Sequence, residues 1–92
     1  MTRSVHHDAG GSRYELVEDG TVIGVADYRL DGDVATFPHT EIVPHRRGEG
    51  LGAELVRAAL DNERAAGHRI VARCWYVAEF VDEHPEYADL LA

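Results

Sequence analysis

The chain has no lysine: its nine basic residues are all arginine, against seventeen acidic ones, for a formal net charge of −8. That absence excludes a nucleoside-triphosphate loop of the G-x-x-x-x-G-K-[ST] type, which needs the lysine to reach the phosphates. The acidic balance argues against nucleic acid as a partner, because a phosphate backbone requires a basic surface. It leans mildly towards a cationic partner. With Cys74 as the one cysteine, no internal disulfide can form, and a reducing cytoplasmic location is expected. No apolar run is long enough for a membrane span or a signal peptide, so a soluble protein with no membrane partner is expected. Aromatic residues make up only 8%, yet the hydrophobic share of 45% permits a core in one domain of 92 residues. A domain of that size buries only ~60–65% of its unfolded surface.

Residues 1–12 hold His6-His7 and Gly10-Gly11 without periodicity and read as a mobile tail or a short edge strand. The paired histidines lack further ligands at metal-binding spacing, so no metal site is expected. From Arg13 to Val17 the pattern suits a strand. Asp19-Gly20 and Asp31-Gly32-Asp33 then punctuate extended runs over Thr21–Leu30 and Val34–Val43. Asp-Gly turns between such runs are hairpin signals and predict three antiparallel strands in order. Pro38 inside the third run predicts a bulge or an edge. Apolar periodicity from Leu51 to Ala66 predicts a helix, with Glu54, Arg57, Asp61 and Arg64 on its wet side and Gly67 as its cap. Ile70–Cys74 reads as a buried strand running parallel to the third. Helices over Trp75–Val81 and from Pro85 to Leu91 complete a β-β-β-α-β-α-α order. The fold class is α+β, with residues 13–92 as the domain.

Between the third strand and the first helix lies Pro44-His45-Arg46-Arg47-Gly48-Glu49-Gly50-Leu51-Gly52. Glycines at every second position leave backbone N–H groups open to close approach, and a helix N-terminus follows at once. Unpaired N–H groups at the positive end of a helix dipole suit a phosphate. Arg46, Arg47 and His45 gather beside the turn in an otherwise acidic chain, which favours attraction of a phosphorylated ligand. Gly48-x-Gly50-x-x-Ala53 also fits a dinucleotide fingerprint literally. That fingerprint requires a doubly wound parallel sheet, and here hairpins precede the motif and too little chain follows it.

Arg47-Gly48-Glu49-Gly50-Leu51-Gly52 resembles the R/Q-x-x-G-x-G/A signature of the GNAT acetyltransferases, and Ile42-Val43-Pro44 resembles that family's V-x-P strand end. Arg13-Tyr14-Glu15-Leu16, Asp27-Tyr28-Arg29, His39-Thr40-Glu41, Cys74-x-Tyr76 and His84-Pro85-Glu86-Tyr87 extend the likeness to a compact GNAT-like subfamily, which lacks the two helices usually placed between the first strands. The resemblance implies an acetyl-CoA-dependent N-acetyltransferase with acetyl-CoA as cosubstrate. In it, Arg46, Arg47, Gly48, Glu49, Gly50, Leu51 and Gly52 cradle the pyrophosphate. Ile42 and Val43 pair with the pantetheine arm where two parallel strands part, and a backbone amide near Val43 polarises the thioester carbonyl. The acceptor amine is left open, as is the choice between an enzyme, a non-catalytic acyl-CoA-binding module and a cysteine-dependent acetyl carrier. A monomer or weak homodimer is expected.

The catalytic candidates are Cys74, His39 and Glu41. Cys74 is either a small buried apolar residue or a nucleophile, which would need an exposed sulfur of lowered pKa. His39 and Glu41 share a face of their strand, where they form either a proton acceptor for an ammonium substrate or a surface pair. Trp75, Tyr76 and Phe80 have the spacing of helix packing anchors and are expected in the core.

Overall fold

In a computed structural model, which describes residues 2–92, all the strands join one sheet in the order β1 (Arg3–Asp8), β2 (Arg13–Glu18), β3 (Thr21–Asp31), β4 (Val34–Ile42) and β5 (Arg69–Ala72). The first four are antiparallel neighbours, and β5 runs parallel to β4. Four strands thus precede the first helix: the three of the hairpin pattern and, of the two readings of residues 1–12, the short edge strand. The additional one is β1, paired with β2 from Arg3↔Glu18 to Asp8↔Arg13. Asp19 and Gly20 both take positive φ at the β2–β3 turn, the mirror-image turn geometry that matches the twist of a hairpin.

The crossover from β4 to β5 is α1 (Leu51–Ala65), and α2 (Trp75–Glu83) follows β5, with a 3-10 turn over Pro85–Leu90 after it. Hydrogen bonds from Gly67 N–H to Arg64 O at 3.0 Å and from His68 N–H to Glu63 O at 2.9 Å close α1 with a Schellman motif. Arg57 of α1 lies 5.5 Å from the ring centres of both Phe80 and Tyr87, so α1, α2 and the final turn share one side of the sheet. The molecule measures 34 × 29 × 19 Å, and its short dimension fits one sheet under one helical layer. Tyr14, Leu16, Ala26, Ala35, Phe37 and Ile70 on the sheet meet Leu55, Leu60, Val77 and Phe80 in a single core.

Two local features shape β4. Asp27 faces His39 and Arg29 faces Thr36, so the single residue Tyr28 stands opposite both Phe37 and Pro38. This is the bulge that Pro38 predicts. It shifts the alternation of side chains, so Ala35 and Phe37 point to the core but Thr40 and Ile42 take over that face beyond it. Gly24, opposite Ile42, leaves the space that Ile42 fills: a Cβ there would lie 2.5 Å from Ile42 Cδ1.

The helix carries one surprise. Glu63 is buried at 2% exposure, whereas its neighbour Asn62 is exposed. Tyr14 hydroxyl donates to Glu63, His68 Nδ1 stands 2.8 Å from its other oxygen, and Asn62 Nδ2 donates to the Tyr14 hydroxyl at 2.8 Å. Burial, reinforced by the Glu63 carboxylate, pushes the Tyr14 phenol above its ordinary range and keeps it a donor. His7 of β1 stacks on Tyr14 at 4.3 Å, so this cluster ties β1, β2 and α1 together. Tyr14→Phe removes a donor from a buried carboxylate and should cost about 1–3 kcal/mol, measured by urea unfolding.

Candidate functional site

β5 pairs with β4 only from Val34↔Arg69 to Phe37↔Ala72, and Cys74 N–H then bonds Phe37 O at 2.9 Å as the chain turns into α2. Beyond Phe37 the edge of β4 therefore has no strand beside it. The gap is a cleft of ≈ 590 Å³ lined by His39, Thr40, Glu41, Ile42, Arg46, Arg47, Gly48, Gly50, Leu51, Gly52, Trp75 and Tyr76. Val43 N–H donates to Ile23 O at 2.9 Å within the sheet. Alternation along an antiparallel strand then turns the N–H and C=O of Ile42 the other way, towards the cleft. Arg47 Nε, which donates to Ile42 O at 3.3 Å, marks that direction. The amide near Val43 that faces the cleft is therefore that of Ile42, the Val43 N–H being engaged within the sheet.

At the far end of the same cleft, a 3-10 turn over Pro44–Arg46 leads into the glycine segment. Gly48 and Gly50 take φ of +85° and +78°, a region where a Cβ is strained, and open space lies where their side chains would be. Gly50 is the N-cap of α1, makes no side-chain cap, and its C=O receives the first helical bond from Glu54 N–H at 3.3 Å. The amides of Leu51, Gly52 and Ala53 therefore precede the helical ladder at the positive end of its dipole. Gly52 differs from the other two: a Cβ there would lie 2.6 Å from the Tyr76 hydroxyl and 2.8 Å from the adjoining ring carbon. Its role is to let Tyr76 of α2 lie against the start of α1.

The charged side chains divide. Arg46 is bound to Glu18 at 2.6 Å and to Glu49 at 2.9 Å, and Arg3 binds Glu18 and Glu54 at 3.0 Å each. Hydrogen bonds from Arg46 and Arg3 hold the Glu18 carboxyl at about 2, well below its ordinary value, and Arg46 likewise lowers that of Glu49. Arg46 and Glu49 therefore anchor the turn to β1 and β2. Arg47 takes no part in these pairs, and His45 lies outside the cleft lining. His39 Nε2 and Glu41 Oε1 stand 3.1 Å apart, both half exposed, on the cleft wall.

Two expectations change. Cys74 is not part of β5, which ends at Ala72: it is the N-cap of α2, only 8% exposed, in the core and outside the cleft lining. Trp75 is not a core residue, being 72% exposed at the cleft with its ring 5.7 Å from that of Tyr76. Thr40, Trp75 and Tyr76 also line the cleft, although the sequence pattern assigns Thr40 no role in a site and places the two aromatic residues in the core. The proximity of Trp75-Tyr76 to the parting strands, implied by the crossover, was the available signal. Val77, Phe80 and Val81 supply the buried face of α2.

Gly52→Ala separates packing from site geometry. The gain in helix propensity, ~1 kcal/mol, offsets the cost of moving the outer end of the Tyr76 ring. Stability in urea should change by no more than about 1 kcal/mol, while the Tyr76 ring resonances shift in NMR spectra. Unchanged Tyr76 signals would contradict the contact.

The model of the GCN5-related N-acetyl-transferase family matches residues 13–90. The protein NATD1 of Bos taurus is 36% identical over 52 residues, 56% of this chain, and the human protein of that name is 33% identical over the same length. The match spans about half of those curated relatives, 46% of each. Among solved structures, a GCN5-like protein from Staphylococcus aureus superimposes with a TM-score of 0.74 over 97% of this chain and 87% of that one, at 19% identity. A GNAT family acetyltransferase from Brucella melitensis in complex with acetyl-CoA gives a TM-score of 0.60 at 27% identity, over 70% of this chain and 47% of that one. With most of its length matched by the family model, and with the sheet, crossover helix and strand gap in place, the chain belongs to the GCN5-related N-acetyltransferase family.

Proposed function

We propose that the protein binds acetyl-CoA in the cleft between β4 and α2 and transfers its acetyl group to an amine. The observation that carries this reading is the joining, in one cleft, of an uncapped helix start and an outward-turned strand edge. The amides of Leu51, Gly52 and Ala53 suit the pyrophosphate, and Arg47 adds a cation beside them. The edge at Ile42 offers its C=O to an extended amide-bearing arm, in the manner of an added strand, and keeps its N–H for the acyl carbonyl. The family relationship and the acetyl-CoA complex of the Brucella melitensis protein support the same ligand.

Acetyl-CoA supplies an acyl group activated as a thioester. Ile42 N–H can donate to the thioester oxygen and stabilise the negative charge that grows there as an amine attacks. The pair His39 and Glu41 can take the proton that the amine loses as its C–N bond forms, directly or through water. The C–S bond breaks as the C–N bond forms, and the coenzyme leaves as its thiolate, which takes a proton from water at the open cleft. Cys74, enclosed in the core, takes no covalent part in this scheme.

Acetyl-CoA should raise the melting temperature saturably, and NAD and ATP should do so far less, because only a ligand of the native state stabilises by mass action. Gly50→Asp places a carboxylate where phosphate would sit, at a φ that aspartate enters more readily than most residues. The variant should stay folded and lose roughly tenfold in acetyl-CoA affinity, ~1.4 kcal/mol, by calorimetry. Undiminished binding would put the phosphates elsewhere.

The buried thiol generates a separate expectation. Intact-protein mass spectrometry after incubation with acetyl-CoA should find no stoichiometric adduct, and Cys74→Ala should keep most of any acetyl transfer detected by thiol release. An acetyl adduct that is absent in Cys74→Ala and discharged by an amine would replace direct transfer with a covalent route.

A further inference from the structure

Among the described residues, one buried side-chain polar atom has no hydrogen-bond partner: Thr40 Oγ1. Buried hydroxyls in folded proteins are paired in the large majority of cases, so this one calls for a reason. Valine has the same shape and strand preference without the unpaired group. Thr40 stands opposite Ala26, so its side chain belongs to the helical side of the sheet, and it contributes to the cleft wall. It lies between His39 and Glu41, at the end of the cleft away from the glycine turn. A ligand whose phosphates sit at Gly50 presents its reacting end there if His39 or Glu41 is to reach the amine.

We propose that the Thr40 hydroxyl is a binding group for the acyl thioester and donates a hydrogen bond to its carbonyl oxygen alongside Ile42 N–H. The inference rests on the acetyl-CoA reading above and names a residue within it. In the protein alone the hydroxyl is shielded from water and from protein acceptors alike. Rotation of χ1 between staggered wells exchanges hydroxyl and methyl, so the donor can turn to an acceptor that fills the cleft. Coenzyme A without its acetyl group lacks that carbonyl, which makes the free coenzyme the control ligand.

The test is calorimetry of the parent, Thr40→Val and Thr40→Ser with acetyl-CoA and with coenzyme A, beside melting curves of the ligand-free proteins. Thr40→Val should bind acetyl-CoA about three- to tenfold more weakly, the range for one hydrogen bond, and bind coenzyme A as the parent does. Thr40→Ser should recover the acetyl-CoA affinity. Ligand-free Thr40→Val should melt no lower than the parent, since it loses no partner. Equal acetyl-CoA affinity in Thr40→Val, or an equal loss for both ligands, overturns the assignment to the thioester. A lowered melting temperature restored by Thr40→Ser shows a partner within the folded protein and overturns it too. If the parent binds neither ligand, the acetyl-CoA reading itself falls, a result distinct from any of these.

Discussion

Pro38 has no N–H to give to a ladder, and it stands one residue beyond Phe37, where the pairing of β4 with β5 ends. The arrangement of the cleft depends on that place in the chain. A regular β4 would continue the alternation of Ala35 and Phe37 into His39 and Glu41, driving two ionisable side chains under the helices. Burying such groups costs several kcal/mol each. The extra residue opposite Tyr28 reverses the alternation, so Thr40 and Ile42 turn under the helical layer while His39 and Glu41 stay half exposed. With β5 gone after Ala72, the outward groups of Ile42 face a cleft and not a neighbour. A bulge and a parting of strands, occurring together, leave a strand edge open in a cleft.

The other half of the cleft is held by charge. Glu49, Arg46, Glu18, Arg3 and Glu54 alternate in sign along a continuous chain of contacts, from the glycine turn to β1 and back to the first turn of α1. Pairs this near the surface contribute about 0–1 kcal/mol each, so their value lies in geometry more than in stability. They fix the turn that presents the amides of Leu51 to Ala53. They also occupy Arg46, which leaves Arg47 and the helix dipole to attract an anion to a protein of net charge −8. Attraction of that kind is local, and in physiological salt it acts within ~8 Å.

The parts of this structure legible in the sequence are those fixed by neighbouring residues. Asp19-Gly20, Pro38, the glycine turn and Gly67 announce a hairpin, a bulge, a helix start and a helix end, because each depends on φ or on a missing donor. What the sequence leaves dark depends on who comes to lie opposite. Nothing in the helical pattern singles out Glu63, whose burial rests on Tyr14 and His68 coming to bind it. Trp75 reads as a packing anchor, but α2 begins at the rim of a gap, and its first residue hangs over it. The first strand has no apolar face of its own, being half-buried only at Val5 and Asp8, and its register with β2 decides between the tail and the edge strand that its sequence allows. The direction of the Ile42 and Val43 amides likewise follows from register with β3, which no local pattern gives.

A domain with one sheet and one helical layer has few side chains to spare from its core, and this one builds its candidate ligand surface largely from backbone. The outward edge at Ile42 and the free amides of Leu51 to Ala53 are donors and acceptors whatever side chains those positions carry. What the sequence must supply is permission: no donor at Pro38, positive φ at Gly50, and no Cβ at Gly52 to push Tyr76 away. Each is a constraint on what is absent. Such a surface tolerates wide change elsewhere, in keeping with a fold shared at 19% identity. Side-chain chemistry is concentrated in the short stretch from His39 to Glu41 and in Trp75-Tyr76 across the cleft. There, three adjacent residues on β4 put an imidazole and a carboxylate on one face and a hydroxyl on the other. If acyl transfer occurs here, both sides of the reacting carbon are addressed by one bulged strand, and the choice of acceptor falls to whatever His39, Glu41 and the exposed Trp75 ring admit.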